Sequence, residues 1–162
     1  GATARLEPVR GYDNDRTYAQ IGAGETAFHQ ACAAIREWRM IEPDWVRYRS
    51  PVGQVVGQTV VLSARAFGLW WVNACRVVYV VNDDGATRRY GFAYGTLERH
   101  VEKGEELFCV ELLPNGEVWY EIRAFSTPRY WMTRLAYPFA RRLQRRFVRE
   151  SFAAMRSVAA LE

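Results

Sequence analysis

Lysine is almost missing from this sequence: of 22 basic residues, only Lys103 is not arginine. Such a bias reads in part as genome composition, and a formal charge of +4 on 162 residues does not require an anionic partner. Cysteine is scarce as well. Cys32, Cys75 and Cys109 are odd in number, widely spaced and without a C-x-x-C pair, which argues against a disulfide framework, a zinc knuckle or a redox motif. Buried free thiols in a reducing cytoplasm are the expectation. Long apolar runs are absent too, the longest being "VVYVV" at 77–81, so no membrane-spanning helix is expected. The opening "GATARLEPVRGYDND" has no apolar signal-peptide core. What is present is ordinary for a folded chain: 49% hydrophobic and 25% charged residues exclude disorder. The length is that of one domain, residues 1–162, with Gly1 and Leu161-Glu162 set aside as foreign to it.

The period of the apolar residues changes twice along the chain. Phe28, Ala31, Ile35 and Trp38 recur every three or four residues within 24–40, predicting an amphipathic helix. After Pro43 the period falls to two, through "WVRYRS", "GQTVVLSARAFG", "WWVNACRVVYVV", "RRYGFAYGTL", "EELFCVELL" and "EVWYEIRAFS". Turn signals separate them at Pro51/Gly53, Gly68, "NDDG" (82–85), "EKGE" (102–105) and "PNG" (114–116). Short loops make neighbours antiparallel, so a meander of about six strands is predicted. From Pro128 to Ala160 the helical period returns, with Met132, Leu135, Ala136, Phe139, Leu143, Phe147 and Val158 on one side. Arg134, Arg141, Arg142, Arg145, Arg146, Arg149 and Arg156 fill the other, and Pro138 is expected either to kink this helix or to mark its start. The fold class is therefore α+β, an antiparallel sheet curved around a long C-terminal helix.

Several groups of residues have to be weighed as sites. "IGAGETA" has the G-x-G-x-x-A spacing of a dinucleotide fingerprint, but a meander follows where that fold needs β-α alternation, so no cofactor is expected. In "YGFAYGTL" Gly91, Ala93 and Gly95 share one strand face, leaving room for a neighbouring backbone, a helix or a ligand. His100 and Glu102 could act as an acid/base pair, with Glu105 or Glu106 on one side of the next strand. Against that, a turn at Lys103-Gly104 would leave them as a solvated hairpin, which is the favoured reading. His29 is the only other histidine and stands at no ligand spacing, so no metal site is expected. Arg65, Asn73, Arg76, Glu111, Glu121 and Arg123 interrupt apolar strands, and an outward cross-strand charge lattice is favoured over an inward ligand-orienting cluster. The arginines of the last helix read first as a solvated face. Contact of Arg141, Arg142, Arg145, Arg146 and Arg149 with anionic lipid or nucleic acid is the alternative, and the scarcity of interleaved aromatics argues against nucleic acid.

The segments "GFAYGTL", "HVEKGEE", "VWYEIRAFSTP" and "RRLQRRF", together with "IGAGETAF", "AIREW" and "FGLWWVNACRVVYVVND", resemble a family of bacterial and plant proteins. It is known as domain-of-unknown-function family nineteen-ninety, and its name carries no activity. More distantly, the order of elements is similar to the START-like helix-grip class, many of whose members enclose a hydrophobic cavity between sheet and C-terminal helix. That resemblance implies a small hydrophobic or amphipathic ligand held there. Trp70, Tyr94, Trp119 and Phe125 are the expected lining, and Gly91, Ala93 and Gly95 give it space. An enzyme working in the same cavity through His100 and Glu102 or Glu105 is the alternative.

Overall fold

Seven strands and two long helices make up the protein in a computed structural model that describes residues 1–41, 44–50, 53–98, 100, 102–130 and 136–160. Pro43, Pro51, Met132, Arg134, Leu135 and Leu161-Glu162 lie outside those residues. The elements are β1 (Asp13–Ala23), α1 (Gly24–Arg36), β2 (Val46–Arg49), β3 (Thr59–Ala66), β4 (Leu69–Asp84), β5 (Arg88–Thr96), β6 (Glu102–Leu112), β7 (Glu117–Pro128) and α2 (Tyr137–Ala159). One antiparallel sheet takes the order β1-β7-β6-β5-β4-β3-β2. The predicted meander is β2 to β7, and both helices grip its concave face, as the helix-grip expectation requires.

The strand missing from the prediction is β1. Its concave residues Asp13, Asp15 and Thr17 are polar because they face α2 and a cavity, and its convex Arg16 and Tyr18 meet acidic partners, so no apolar alternation marks it. Gly22 and Gly24, which mimic a nucleotide fingerprint, have structural work. A Cβ at Gly22 would stand 3.2 Å from the Cβ of Ala159 on α2, and Gly24 turns the chain into α1 with φ +85°.

A second correction concerns "EKGE". It is no turn: β6 begins at Glu102, and Gly104 sits inside the strand where a side chain would collide with the carbonyl of Phe125. Glycine is read as a turn signal, but here it permits close approach of two backbones. The "NDDG" turn is shifted, since β4 continues through Asp84. Pro138 stands in the first turn of α2, where its missing N–H is not needed, and so marks the helix start rather than a kink.

The core lies between the sheet and the two helices. Phe28, Ala31 and Ile35 of α1 and Phe152, Met155 and Val158 of α2 close over Phe92, Phe108, Val118 and Tyr120. Each large apolar side chain buried this way contributes roughly 2 kcal/mol. In α2 the fully buried residues begin only at Ser151. The first half of the helix is not seated on the core, and space opens beneath it.

Candidate ligand-binding cavity

That space is a partly open cavity of about 600 Å³ between the concave face and the first half of α2. Ile122 and Ala124 of β7, Leu62 and Ala64 of β3, and Trp45 and Val46 give it apolar walls, and Ala140, Leu143, Phe147 and Val148 of α2 roof it. Its size and mostly apolar lining are those of a small-molecule site. Polar groups gather where β5, β6 and β1 meet α2.

At that end the Tyr94 hydroxyl donates to Glu106 Oε2 at 2.6 Å, and Gln144 Nε2 donates to Glu102 Oε2 at 3.0 Å. Arg141 is clamped to both carboxylate oxygens of Asp15, with Nη2 to Oδ1 at 2.6 Å. Glu106 is half-buried and borders the cavity. Burial pushes its carboxyl up to about 7, aided by the nearby charges of Glu102 and Asp15 and opposed by the Tyr94 hydrogen bond. Burial also raises Glu102, although the Gln144 bond and Arg141 pull the other way. His100, between β5 and β6, is pushed down to about 4 by burial and by the Arg129 guanidinium. Its Nδ1 accepts the Glu102 N–H at 3.0 Å, so that nitrogen carries no proton. At neutral pH the cavity thus holds a neutral imidazole and a carboxyl near its midpoint.

The opposite face of the sheet is organised differently. Glu121, 1% exposed, receives Arg16 Nε at 2.6 Å and Arg123 Nη2 at 2.6 Å. Glu111 accepts from Arg89 Nε at 2.7 Å and from the Tyr18 hydroxyl at 2.8 Å. The N-terminal segment lies across this face: Arg123 Nη1 donates to the carbonyl of Thr3 at 2.9 Å, and Thr3 N donates to Glu105 Oε1 at 2.8 Å. Glu111, Glu121 and Arg123 of the expected charge lattice do face outward, although Glu121 is covered rather than solvated, whereas Asn73 is on the other face and lines the cavity.

Of the residues expected to line a cavity, Tyr94 does so and Trp70, Gly91, Ala93, Gly95 and Trp119 do not. The pleat explains it. Gly91, Ala93 and Gly95 pair with Cys109, Leu107 and Glu105 on the convex side, where the Phe108–Cys109 backbone fills the space that Gly91 leaves. Trp119 stacks on Tyr18 at 4.7 Å on that same side, and Trp70 sits beneath Arg47 at 4.4 Å. Phe125 borders the cavity, but its register partner is Glu105 and its ring meets Tyr12 edge-on at 5.2 Å. His100 and Glu102 are half-buried at the cavity and not in a solvated hairpin, while the Glu105 carboxylate binds the N-terminal segment on the far face. Glu106 takes the position facing Tyr94. Starting the strand at Glu102 would have revealed it, because Glu102, Gly104 and Glu106 then share a face with Phe108. Asp15 and Gln144 carried no sequence signal. The arginine face of α2 is split: Arg141, Arg145 and Arg149 border the cavity, and Arg146 pairs with Glu150 at 2.6 Å.

A sheet gripping a C-terminal helix over such a cavity defines a helix-grip protein. Among solved structures the chain is similar to an aromatase/cyclase from Streptomyces sp., with a TM-score of 0.67 at 14% identity over 91% of this chain and 93% of that one. Residues 1–154 match the family described as Domain of unknown function (DUF1990), and the chain belongs to that family. A UPF0548 protein of Dictyostelium discoideum is 36% identical over 152 residues, 86% of this chain and 69% of that protein. One from Arabidopsis thaliana is 31% identical over 139 residues, 83% of this chain and 67% of that protein. Among the described residues no helix is long and apolar enough to cross a membrane.

Proposed function

We propose that the protein binds a small, largely apolar molecule bearing one hydrogen-bonding head, with the body under the first half of α2 and the head at Glu106 and Tyr94. The observation that carries this reading is the distribution of polarity in the cavity: apolar walls and roof, with the Tyr94–Glu106 and Glu102–Gln144 pairs together at one end. A half-buried carboxyl whose one hydrogen bond among the described residues is to a neutral hydroxyl keeps a lone pair for a ligand O–H or N–H. The three buried free cysteines fit a reducing compartment such as the cytoplasm. No cofactor enters this reading.

The test is native mass spectrometry of the protein purified gently from its own host, beside its denatured mass, with saturation binding of an apolar fluorescent probe. A carried mass or saturable probe uptake, each abolished by Leu143→Trp in a folded protein, is the expected result. A bare protein with no saturable uptake would rule the binding reading out.

A second reading, catalysis in the same cavity, is favoured by one observation. Glu106 is poised near 7, where a carboxyl serves as either general acid or general base. In that reading the role proposed for His100 and Glu102 passes to Glu106, because an imidazole held near 4 is a weak base. The similarity to an aromatase/cyclase agrees with chemistry in such a cavity but speaks only of the fold.

A further inference from the structure

Among the described residues a cluster of exposed large apolar side chains lies not at the cavity but at the tip of the β3–β4 hairpin. Phe67 is 70% exposed, Leu69 63%, Trp71 45% and Val72 67%. The turn is two residues long, with Phe67 at φ 53° and Gly68 at φ 75°. Asn and Gly are the residues that tolerate such angles, so a phenylalanine held there, facing water, is an anomaly of both backbone and solvation.

The tip stands clear of the sheet. β5 pairs with β4 only from Cys75 onward, and β2 reaches β3 only as far as Ala64. Beyond those points the hairpin is a two-stranded ribbon whose apolar side chains stay exposed on both faces, touched only at Phe67 by Phe139 of α2 and at Trp70 by Arg47 among the described residues. Alternation puts Leu69 and Trp71 on one face and Trp70 and Val72 on the other, and all four are exposed. A flat protein partner would cover one face of such a ribbon. An apolar medium into which the tip dips covers both.

The charge around the ribbon narrows the partner. From Trp45 to Asn82 the chain has no aspartate or glutamate, yet carries Arg47, Arg49, Arg65 and Arg76. All four are exposed, and Arg47 lies over the Trp70 ring. Tryptophan and phenylalanine beside arginine make up the amphipathic set that partitions into the headgroup region of a bilayer, and arginines next to it draw anionic lipid. We infer that the β3–β4 hairpin docks the protein on an anionic membrane surface by inserting its tip into the lipid interface. This surface is separate from the ligand reading of the cavity and stands whether or not that reading holds. It does bring the two together, because Phe67 packs on Phe139 at 4.3 Å, next to Ala140 of the cavity roof.

The experiment is flotation of the full chain with vesicles of phosphatidylcholine alone and with added phosphatidylserine, at low and at physiological salt. Binding to the anionic vesicles, weakened by salt, is expected, with tryptophan emission quenched by lipids brominated near the headgroup. Leu69→Ser with Trp71→Ser removes apolar area from exposed positions and is expected to lower partition about tenfold. Arg47→Glu with Arg65→Glu is expected to lower it by about tenfold or more. Unchanged thermal melting shows that the variants are folded. No binding to anionic vesicles at low salt overturns the inference, as does binding of either variant equal to that of the parent. A dimer in sedimentation velocity that Leu69→Ser/Trp71→Ser abolishes, without vesicle binding, overturns it in favour of a second copy of the chain.

Discussion

Glu105 and Glu106 are neighbours in β6, and the pleat sends them to opposite faces of the sheet with opposite results. Glu105 is pushed up by burial, but hydrogen bonds from the N-terminal segment, those of the Thr3 N–H and hydroxyl among them, outweigh this and hold its carboxyl below the usual range. Glu106 is bonded to a phenol, next to two further acids, and its carboxyl is held above that range. The difference extends across each face. On the convex side Glu111 and Glu121 are matched with guanidinium groups, which is how a sheet keeps charges under cover. On the concave side, among the described residues, Glu102 and Glu106 have only an amide and a hydroxyl as hydrogen-bond partners. A carboxyl left without a close cation in a folded core is a cost to stability, and it is tolerated where the group has something else to bind.

Removing one convex carboxylate should break the contrast most strongly. Glu121→Ala leaves the largely covered Arg123 guanidinium without its carboxylate, and a loss of about 3 kcal/mol is expected in urea denaturation. The concave acid should behave in the opposite sense. Below the unfolded value of 4.5 both states of the protein bind the Glu106 proton; as pH rises from there to about 7 the unfolded chain ionises first and the native state loses relative stability. Glu106→Gln is therefore expected to be more stable than the parent above pH 7 by about 2 kcal/mol, with the gap closing towards pH 4. Equal stabilities at pH 8 would remove the claim that the concave carboxyl is unmatched.

Glu105→Gln should move the other way. The folded value is depressed, so the charged form stabilises the fold above the unfolded value, and that contribution disappears as pH falls through the folded one. A loss of about 2 kcal/mol at pH 7, shrinking in acid, is expected from the charge-assisted bonds removed. The smallest effect is that of Tyr94→Phe, about 1 kcal/mol by the same denaturation series. It should also raise the Glu106 midpoint in carboxyl-labelled NMR, because the hydrogen bond that favours its ionised form is gone.

Much of the fold could be read from periodicity alone, because most elements bury one face in a common core. Six strands, both helices and their order follow from apolar spacing, and "PNG" turns where expected, with Gly116 at φ 85°. The failures share one cause. β1 alternates between two polar sets, and the start of β6 places Glu102, Gly104 and Glu106 on a face that faces a cavity rather than a packed core. Hydrophobic pattern marks surfaces that meet apolar neighbours. Where a strand meets a cavity or a guanidinium row, the pattern disappears and the strand reads as a loop. The lining residues went wrong for a related reason: aromatic residues fill both faces here, and only register tells Tyr94 from Trp119.

The place of β1 has a consequence for how the chain reaches this structure. Its partner is β7, so that Asp13 lies opposite Ser126 and Ala23 opposite Glu117. The hairpins from β2 to β7 can zip one after another from local turns, but the first strand must wait for the last across some hundred residues of loop. Pairings of such separation in sequence delay folding, which places this protein among the slower folders of its size. Until β1 arrives, β7 is an open edge that carries Val118, Tyr120 and Ile122, and that form is the one most exposed to aggregation.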